Sequence, residues 1–316
     1  MQPLFAGLMG NQELTTPEPP KPTEPDQTWE HYELWRAVKR AIYTLPSRFE
    51  SELIISGVLA TDLFAFNSSL GATIEEQVIE SLNKLRSVWD PQQKYSLYSF
   101  ERQPQTFPDV VLRASAPDVK PQVLMGIELK GWYALAKEGE PSFRYNVTPA
   151  VCAPADLLVV VPWALSKVIS GSPQVFTPYV INARQAAEYR NWYWEHARGG
   201  KGTDRGVSLS SVTTHYPNKT DQISDQAQKD AGKNFGRFAR SKAMDSYIEE
   251  LFNDKLAGIP LSAWQKFLLL FTEGQTTESV EAGLNALANR ARIAPENQRN
   301  DLADKFREIG DILAGD

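Results

Sequence analysis

Two acidic residues and a lysine carry the chemistry most legible in this chain of 316 residues. They lie in FPDVVLRASAPDVKPQVLMGIELKGW, residues 107–132, where two runs of period-two hydrophobicity flank a turn containing Pro117, Asp118 and Pro121. That pattern predicts an antiparallel hairpin. If the hairpin is symmetric about Asp118 and Val119, Asp109 faces Glu128, with Cβ atoms about 5 Å apart. In the second strand Val123, Met125, Ile127 and Leu129 share one face, while Gly126, Glu128 and Lys130 share the other. Asp109, Glu128 and Lys130 then converge, and Gly126 leaves room beside them. Facing carboxylates repel unless a cation lies between them. Two carboxylates and a backbone carbonyl, that of Leu129, make a hard-oxygen site that suits Mg²⁺. A lysine two residues beyond the Glu can orient a bound water and lower its pKa, so the group fits phosphodiester hydrolysis. The bland alternative is a surface Asp109 with a Glu128–Lys130 pair on a solvated strand face.

The elements that must position these residues follow from periodicity. Residues 15–26 hold five prolines, and the first 28 residues are expected to form a mobile tail. Helical spacing predicts helices over Trp29–Tyr43 and Phe49–Phe66, and a third that begins after Gly71, with Thr73 and Glu76 in capping-box spacing, and stops before Asp90-Pro91. On that third helix Glu75 falls inside the apolar arc of Ile74, Val78, Leu82 and Leu85, so it points inward, or else serves as a helix-start carboxylate. YSLYSF, DVVLRA, QVLMGIELK and DLLVVVPW predict strands, the last a central one covered on both faces. A short strand in VFTPYVI and a helix in ARQAAEYRNWYWEHA follow, and helical patterns dominate from Asp225 onward. The expected fold is α/β, a mixed central β-sheet flanked by helices, with a helical C-terminal region. The expected division is a tail (1–28), N-terminal helices packed on the core (29–92), an α/β catalytic core (93–200) and a mainly helical region (201–316) for DNA binding and dimerisation.

Pro108-Asp109, eighteen intervening residues and Glu128-Leu129-Lys130, set between a helix with an inward acid and an apolar strand, resemble the PD-(D/E)XK nuclease superfamily over residues 70–165. The resemblance implies a restriction-endonuclease-like core and activity as a Mg²⁺-dependent DNA endonuclease, most often a sequence-specific type II restriction enzyme. By that analogy Asp109 and Glu128 hold the metal, Lys130 positions the nucleophile and Glu75 is an auxiliary acid. A repair, recombination or mobile-element nuclease of the same superfamily, or a non-catalytic nucleic-acid-binding protein, are the rival readings. Cutting both strands of a two-fold symmetric site in double-stranded DNA implies a homodimer.

Composition narrows the partners. With 33 Lys+Arg against 39 Asp+Glu the net charge is −6, which argues against indiscriminate coating of nucleic acid. Residues 198–242 carry nine basic and four acidic residues, +5, leaving −11 elsewhere. On a helix from Asp225, Lys229, Lys233, Arg237 and Arg240 would form one stripe beside Gly232 and Gly236; with Lys201 and Arg205 they are the candidate DNA-binding residues. The alternative is a solvated helix face. Arg184, Arg190 and the aromatics Trp192 to Trp194 could add contacts, and Arg144 could hold a phosphate or pair with Glu138 or Glu140. GGKGT lacks the spacing of a phosphate-binding loop. The single Cys152, with no nearby His, reads as a buried thiol in a reducing, cytoplasmic setting. No apolar run is long enough to span a membrane.

Overall fold

The computed structural model describes residues 16–293, apart from 58–62, 104, 115–121, 200–201 and 272–275. Helix α1 (Tyr32–Tyr43) buries Leu34, Trp35, Val38, Ala41 and Ile42, the three- and four-residue spacing of one helix face. A one-turn helix, α2 (Leu45–Arg48), follows. The helix expected over 49–66 does not form at its start: residues 49–56 are irregular, and Ile55 pairs its backbone with Gly171. Instead a single long helix, α3, spans Leu63–Lys84 and runs straight through Gly71, so Thr73 and Glu76 are interior residues and not a capping box. The cause is tertiary. A Cβ built on Gly131 would lie 3.2 Å from the Gly71 carbonyl oxygen, so helix and strand cross almost backbone to backbone, and glycine is needed for that approach. Helix α4 (Arg86–Trp89) ends at Asp90, which accepts the Tyr95 amide. The first 15 residues of the expected mobile tail lie outside the described residues. From Thr16 the chain has no regular structure until Gln27, yet it touches the body: the Pro17 carbonyl accepts from Trp192 Nε1 at 2.8 Å, and Glu24 pairs with Lys39 at 3.4 Å.

The centre is a curled, mixed six-stranded sheet, and the fold is α/β. Strands β1 (Tyr98–Arg102), β2 (Val110–Ala114) and β3 (Val123–Tyr133) pair antiparallel, and β3 pairs parallel with β4 (Leu157–Leu165). The short strands β5 (Pro173–Val175) and β6 (Tyr179–Asn182) both run antiparallel to β4. The observed β2–β3 register, Val110 opposite Ile127 and Val111 opposite Gly126, is the one symmetry about Asp118 and Val119 requires, up to a bulge at Leu112/Arg113; the turn itself lies outside the described residues. All nine residues of β4 are buried, as its unalternating run predicts. α3 lies over β1 and β3, on the face that bears Leu129 and Gly131.

The β3-to-β4 crossover, residues 134–156, is described throughout, and its regular structure is one 3₁₀ turn, Pro149–Val151. A parallel connection is usually satisfied by its own helix. Here a second segment does that work: Tyr145 donates to the Gly236 carbonyl (2.7 Å), Asp225 to that of Asn146 (2.8 Å) and Thr148 to that of Ile223 (2.8 Å). Two crossover carbonyls, Tyr145 and Val147, accept from the guanidinium of Arg190 on helix α5 (Ala183–Trp192), at 2.6 and 3.0 Å. Buried Asp225 neutralises that arginine at 2.5 Å. The expected helix from Asp225 is therefore absent: residues 225–242 form a short strand β8 (Gln226–Ala227) paired to β7 (Val207–Ser208), turns, and a 3₁₀ turn Phe238–Ser241. Helices return as α6 (Asp245–Leu251), α7 (Leu261–Leu269) and α8 (Thr277–Ile293), with a small hairpin of β9 (Lys255–Leu256) and β10 (Ile259–Pro260) before α7. One buried apolar cluster runs from Leu34 through the sheet to Leu268. Among the described residues no helix is long and apolar enough to cross a membrane.

Candidate active site

Asp109 ends the β1–β2 connection and Glu128 and Lys130 lie in β3, so the hairpin register alone brings them together. Lys130 Nζ sits 2.8 Å from Asp109 Oδ2 and 2.8 Å from Glu128 Oε1. The backbone fixes both carboxylates: Leu129 N–H donates to Asp109 Oδ2 at 3.2 Å, and Asp109 N–H to Glu128 Oε2 at 3.3 Å. Glu75 arrives from α3. It lies one turn beyond Gly71, on the face that meets β3, and accepts the Gly131 amide at 3.0 Å. Gly126 leaves space only for structure: a Cβ there would fall 2.2 Å from Pro108 Cγ and 2.9 Å from Asp156 Oδ1. Asp156 takes up the Gly126 and Ala153 amides, each at 2.7 Å, and so pins β3 beside the start of β4.

Two cavities flank the cluster. One, of about 250 Å³, is lined by Glu75, Asp109, Arg102, Gln103 and Gln105; the other, of about 330 Å³, by Glu75, Lys130, Trp132, Ser142 and Phe143. The buried Nε1 of Trp132 finds no acceptor among the described residues. Arg102, Gln103 and Gln105 escaped the sequence reading. Their signal was their place at the end of β1 and in the connection before Pro108-Asp109: Gln103 N–H donates to the Asp109 carbonyl at 2.6 Å, extending the β1–β2 ladder. Ser142 and Phe143 had no local signal, since only the path of the crossover brings them to Lys130.

Burial dominates the electrostatics. It pushes the Glu128 carboxyl up to about 7, against the pull of the Lys130 ammonium and with the help of Asp109. It also raises Glu75, against the Gly131 hydrogen bond and Lys130. Burial alone would lower Lys130, but the two carboxylates outweigh it and hold the ammonium protonated, well above its usual range. Among the described residues no group of three or more His, Cys, Asp or Glu side chains could hold a metal ion. Two carboxylates do converge on one cation position, the one Lys130 Nζ takes. In a strand the N–H and C=O of one residue leave on the same edge, and Leu129 N–H faces Asp109. The donors are hard oxygens and fit Mg²⁺, which draws its remaining ligands from water and phosphate.

The candidate DNA-binding residues do not form a stripe. Lys201 lies outside the described residues. Arg205 is half-buried in a 3₁₀ turn, Gly202–Arg205. Lys229 pairs with Asp204 at 3.1 Å, and exposed Lys233 has a left-handed backbone, φ 48°, and gives its carbonyl to Arg144 at 2.6 Å. Arg240 pairs with Glu140 at 3.0 Å, and Arg237 is half-buried, its backbone bridged to Arg144. Arg144 therefore neither meets a carboxylate at 138 or 140 nor enters the acid–lysine cluster. Arg184 donates to the Cys152 carbonyl at 2.9 Å, and Arg190 is committed to Asp225 and the crossover. Cys152 is buried, and burial pushes its thiol up to about 12.

The chain has no significant match to a protein-family profile, a curated protein or a solved structure. Its class is thus defined by its own architecture, an α/β protein with a curled mixed sheet and an acid–lysine cluster at the β2–β3 edge.

Proposed function

We propose that the chain is a Mg²⁺-dependent DNA endonuclease built on a restriction-endonuclease-like core, acting as a homodimeric, sequence-specific type II restriction enzyme on double-stranded DNA. The observation that carries this is the convergence of Lys130 Nζ on both Asp109 and Glu128 at 2.8 Å, beside a half-buried Glu75 and open space on either side. Asp109, Glu128 and the Leu129 carbonyl would hold the metal, which when bound supplies Lewis-acid polarisation of a phosphate and a water of lowered pKa. Lys130 remains protonated and can donate to an attacking water or a phosphate oxygen at the edge of the 330 Å³ cavity. Glu75, its carboxyl raised by burial, can accept or return a proton there. The in-line attack breaks the bond from phosphorus to the 3′ oxygen.

A second reading has its own support: Lys130 is already satisfied by two carboxylates, as in an internal ion cluster of a non-catalytic nucleic-acid-binding protein. Incubating purified protein with a plasmid and phage DNA panel, with Mg²⁺ or EDTA, separates them. Discrete bands lost with EDTA, with Asp109→Asn and with Lys130→Ala are the expected result. A Mg²⁺-dependent smear would keep the chemistry but move the assignment to a repair or mobile-element nuclease. Intact DNA throughout, from folded protein, would favour the binding protein.

A further inference from the structure

A third cavity, of about 210 Å³, lies where the end of α5 meets the segment that braces the crossover. Its wall includes Arg190, Arg198, Arg237 and Arg240. Two of these are neutralised, Arg190 by Asp225 and Arg240 by Glu140. The other two have no carboxylate partner among the described residues. Arg198 lies over the Trp194 ring, its guanidinium carbon 3.4 Å from the centroid, and donates to the Asp204 carbonyl at 3.0 Å. The buried Nε atoms of Arg198 and Arg237, and the buried Nε1 of Trp194, have no acceptor among the described residues. Buried donors are nearly always paired, but these three are closed off from the cavity itself, so the case for a ligand rests on the two arginines that line it without a carboxylate partner. Two uncompensated guanidinium groups make that ligand an anion, and their planar forks match the oxygens of a phosphate.

The backbone is shaped for the site. After Trp192 the helix widens into a π turn, Tyr193–Ala197, that carries Trp194 to the cavity. Gly236 has φ +81°, and a Cβ there would collide with Asn146 Oδ1. The crossover links the cavity to the catalytic cluster. Phe143 lines the cavity beside Lys130, and three residues later Asn146 touches Gly236, a Cα separation of at most roughly 11 Å. Along one DNA strand a phosphate recurs about every 3.4 Å of helix axis.

We propose that Arg198 and Arg237, with Trp194 beneath Arg198, form a phosphate-binding pocket that grips the DNA backbone a few nucleotides from the bond cleaved. The identity of the phosphate as DNA rests on the nuclease reading; the pocket's preference for a phosphate group does not. The test therefore reads binding and not cleavage. Binding of a fluorescent 40-bp duplex is measured in EDTA with Asp109→Asn protein, alone and combined with Arg237→Gln, Arg237→Lys or, as a control outside the cavity, Lys229→Gln. Binding of inorganic phosphate is measured in parallel, and circular dichroism confirms the fold of each variant. Arg237→Gln is expected to weaken duplex binding about tenfold and to lower the slope of log affinity against log salt by about 1. Arg237→Lys should restore part of the affinity, and Lys229→Gln should change little. Unchanged duplex binding by folded Arg237→Gln protein overturns the proposal, and does so even if inorganic phosphate binding is lost, because the pocket would then serve a small anion. Weakened duplex binding in a protein that cleaves no DNA would keep the pocket and remove the nuclease.

Discussion

Glu75 shows how much depends on where one side chain arrives. It shares a helix face with Gly71, and the near-contact of Gly71 with Gly131 delivers its carboxylate to a β3 amide. Glutamine can still accept that amide, so Glu75→Gln should leave the thermal midpoint unchanged. On the proposed nuclease function, single-turnover cleavage should nevertheless fall about 10- to 100-fold, the usual effect of removing a supporting carboxylate beside a metal site. Unaltered turnover would reduce Glu75 to a cap on β3. Gly126 is the opposite case, a position where nothing can be added. Gly126→Ala would drive a methyl into Pro108 and Asp156, and urea titration should show a loss of about 1–3 kcal/mol. The proposed cleavage should fall with it, since Pro108 precedes Asp109.

At the scale of elements, the crossover without a helix is the distinctive feature, and Arg190 and Asp225 hold it. Asp225→Ala would leave a buried guanidinium uncompensated, at a cost of about 3–5 kcal/mol in chemical denaturation, with proteolysis opening first within residues 134–156. A second brace, Asp156, ties β3, the start of β4 and Tyr216 together. Burial raises its carboxyl from 3.8 to about 6, so the folded state holds a proton that the unfolded state releases. The native form thus binds more protons between those values, and this group's contribution to stability is full below about pH 4 and lost as pH rises through 6. Asparagine has no such term. The deficit of Asp156→Asn relative to the parent should therefore be largest near pH 4 and shrink by on the order of 3 kcal/mol by pH 7, measured by urea titration at each pH. A constant deficit would show that the buried carboxyl does not titrate in this window.

Across the whole molecule, one apolar cluster joins α1, the sheet, α5 and α7, although the sequence suggests separable N-terminal, catalytic and C-terminal parts. Far-UV circular dichroism and tryptophan fluorescence should report one coincident unfolding transition, because Trp35, Trp89, Trp163 and Trp264 sit in the same cluster. Two resolved transitions would restore the separate parts. Charge is also redistributed by folding. The +5 of residues 198–242 is an even basic surface on paper, but ion pairs to Asp204 and Glu140 engage Lys229 and Arg240, and Asp225 is taken up by Arg190 from outside the segment. Arg198 and Arg237, half-buried and without a carboxylate partner among the described residues, line one cavity, so any phosphate contact there is local.

The features legible without coordinates share one property: each is settled by neighbours a few residues away. The β2–β3 register places Asp109 against Glu128 because a period of two and a central turn leave one pairing that keeps the apolar faces together. The buried run of β4 and the inward turn of Glu75 follow from periodicity in the same way. The errors lie where distant backbone segments compete. Gly71 looked like a helix start because glycine is costly inside a helix, and only its crossing with Gly131 repays that cost. Residues 225–242 had helical spacing, but the crossover's amides and carbonyls, some eighty residues earlier, needed partners, and that demand outweighed local propensity. Tertiary structure alone decided which arginines stay unpaired and available, because that depends on which carboxylate folding sets beside each of them.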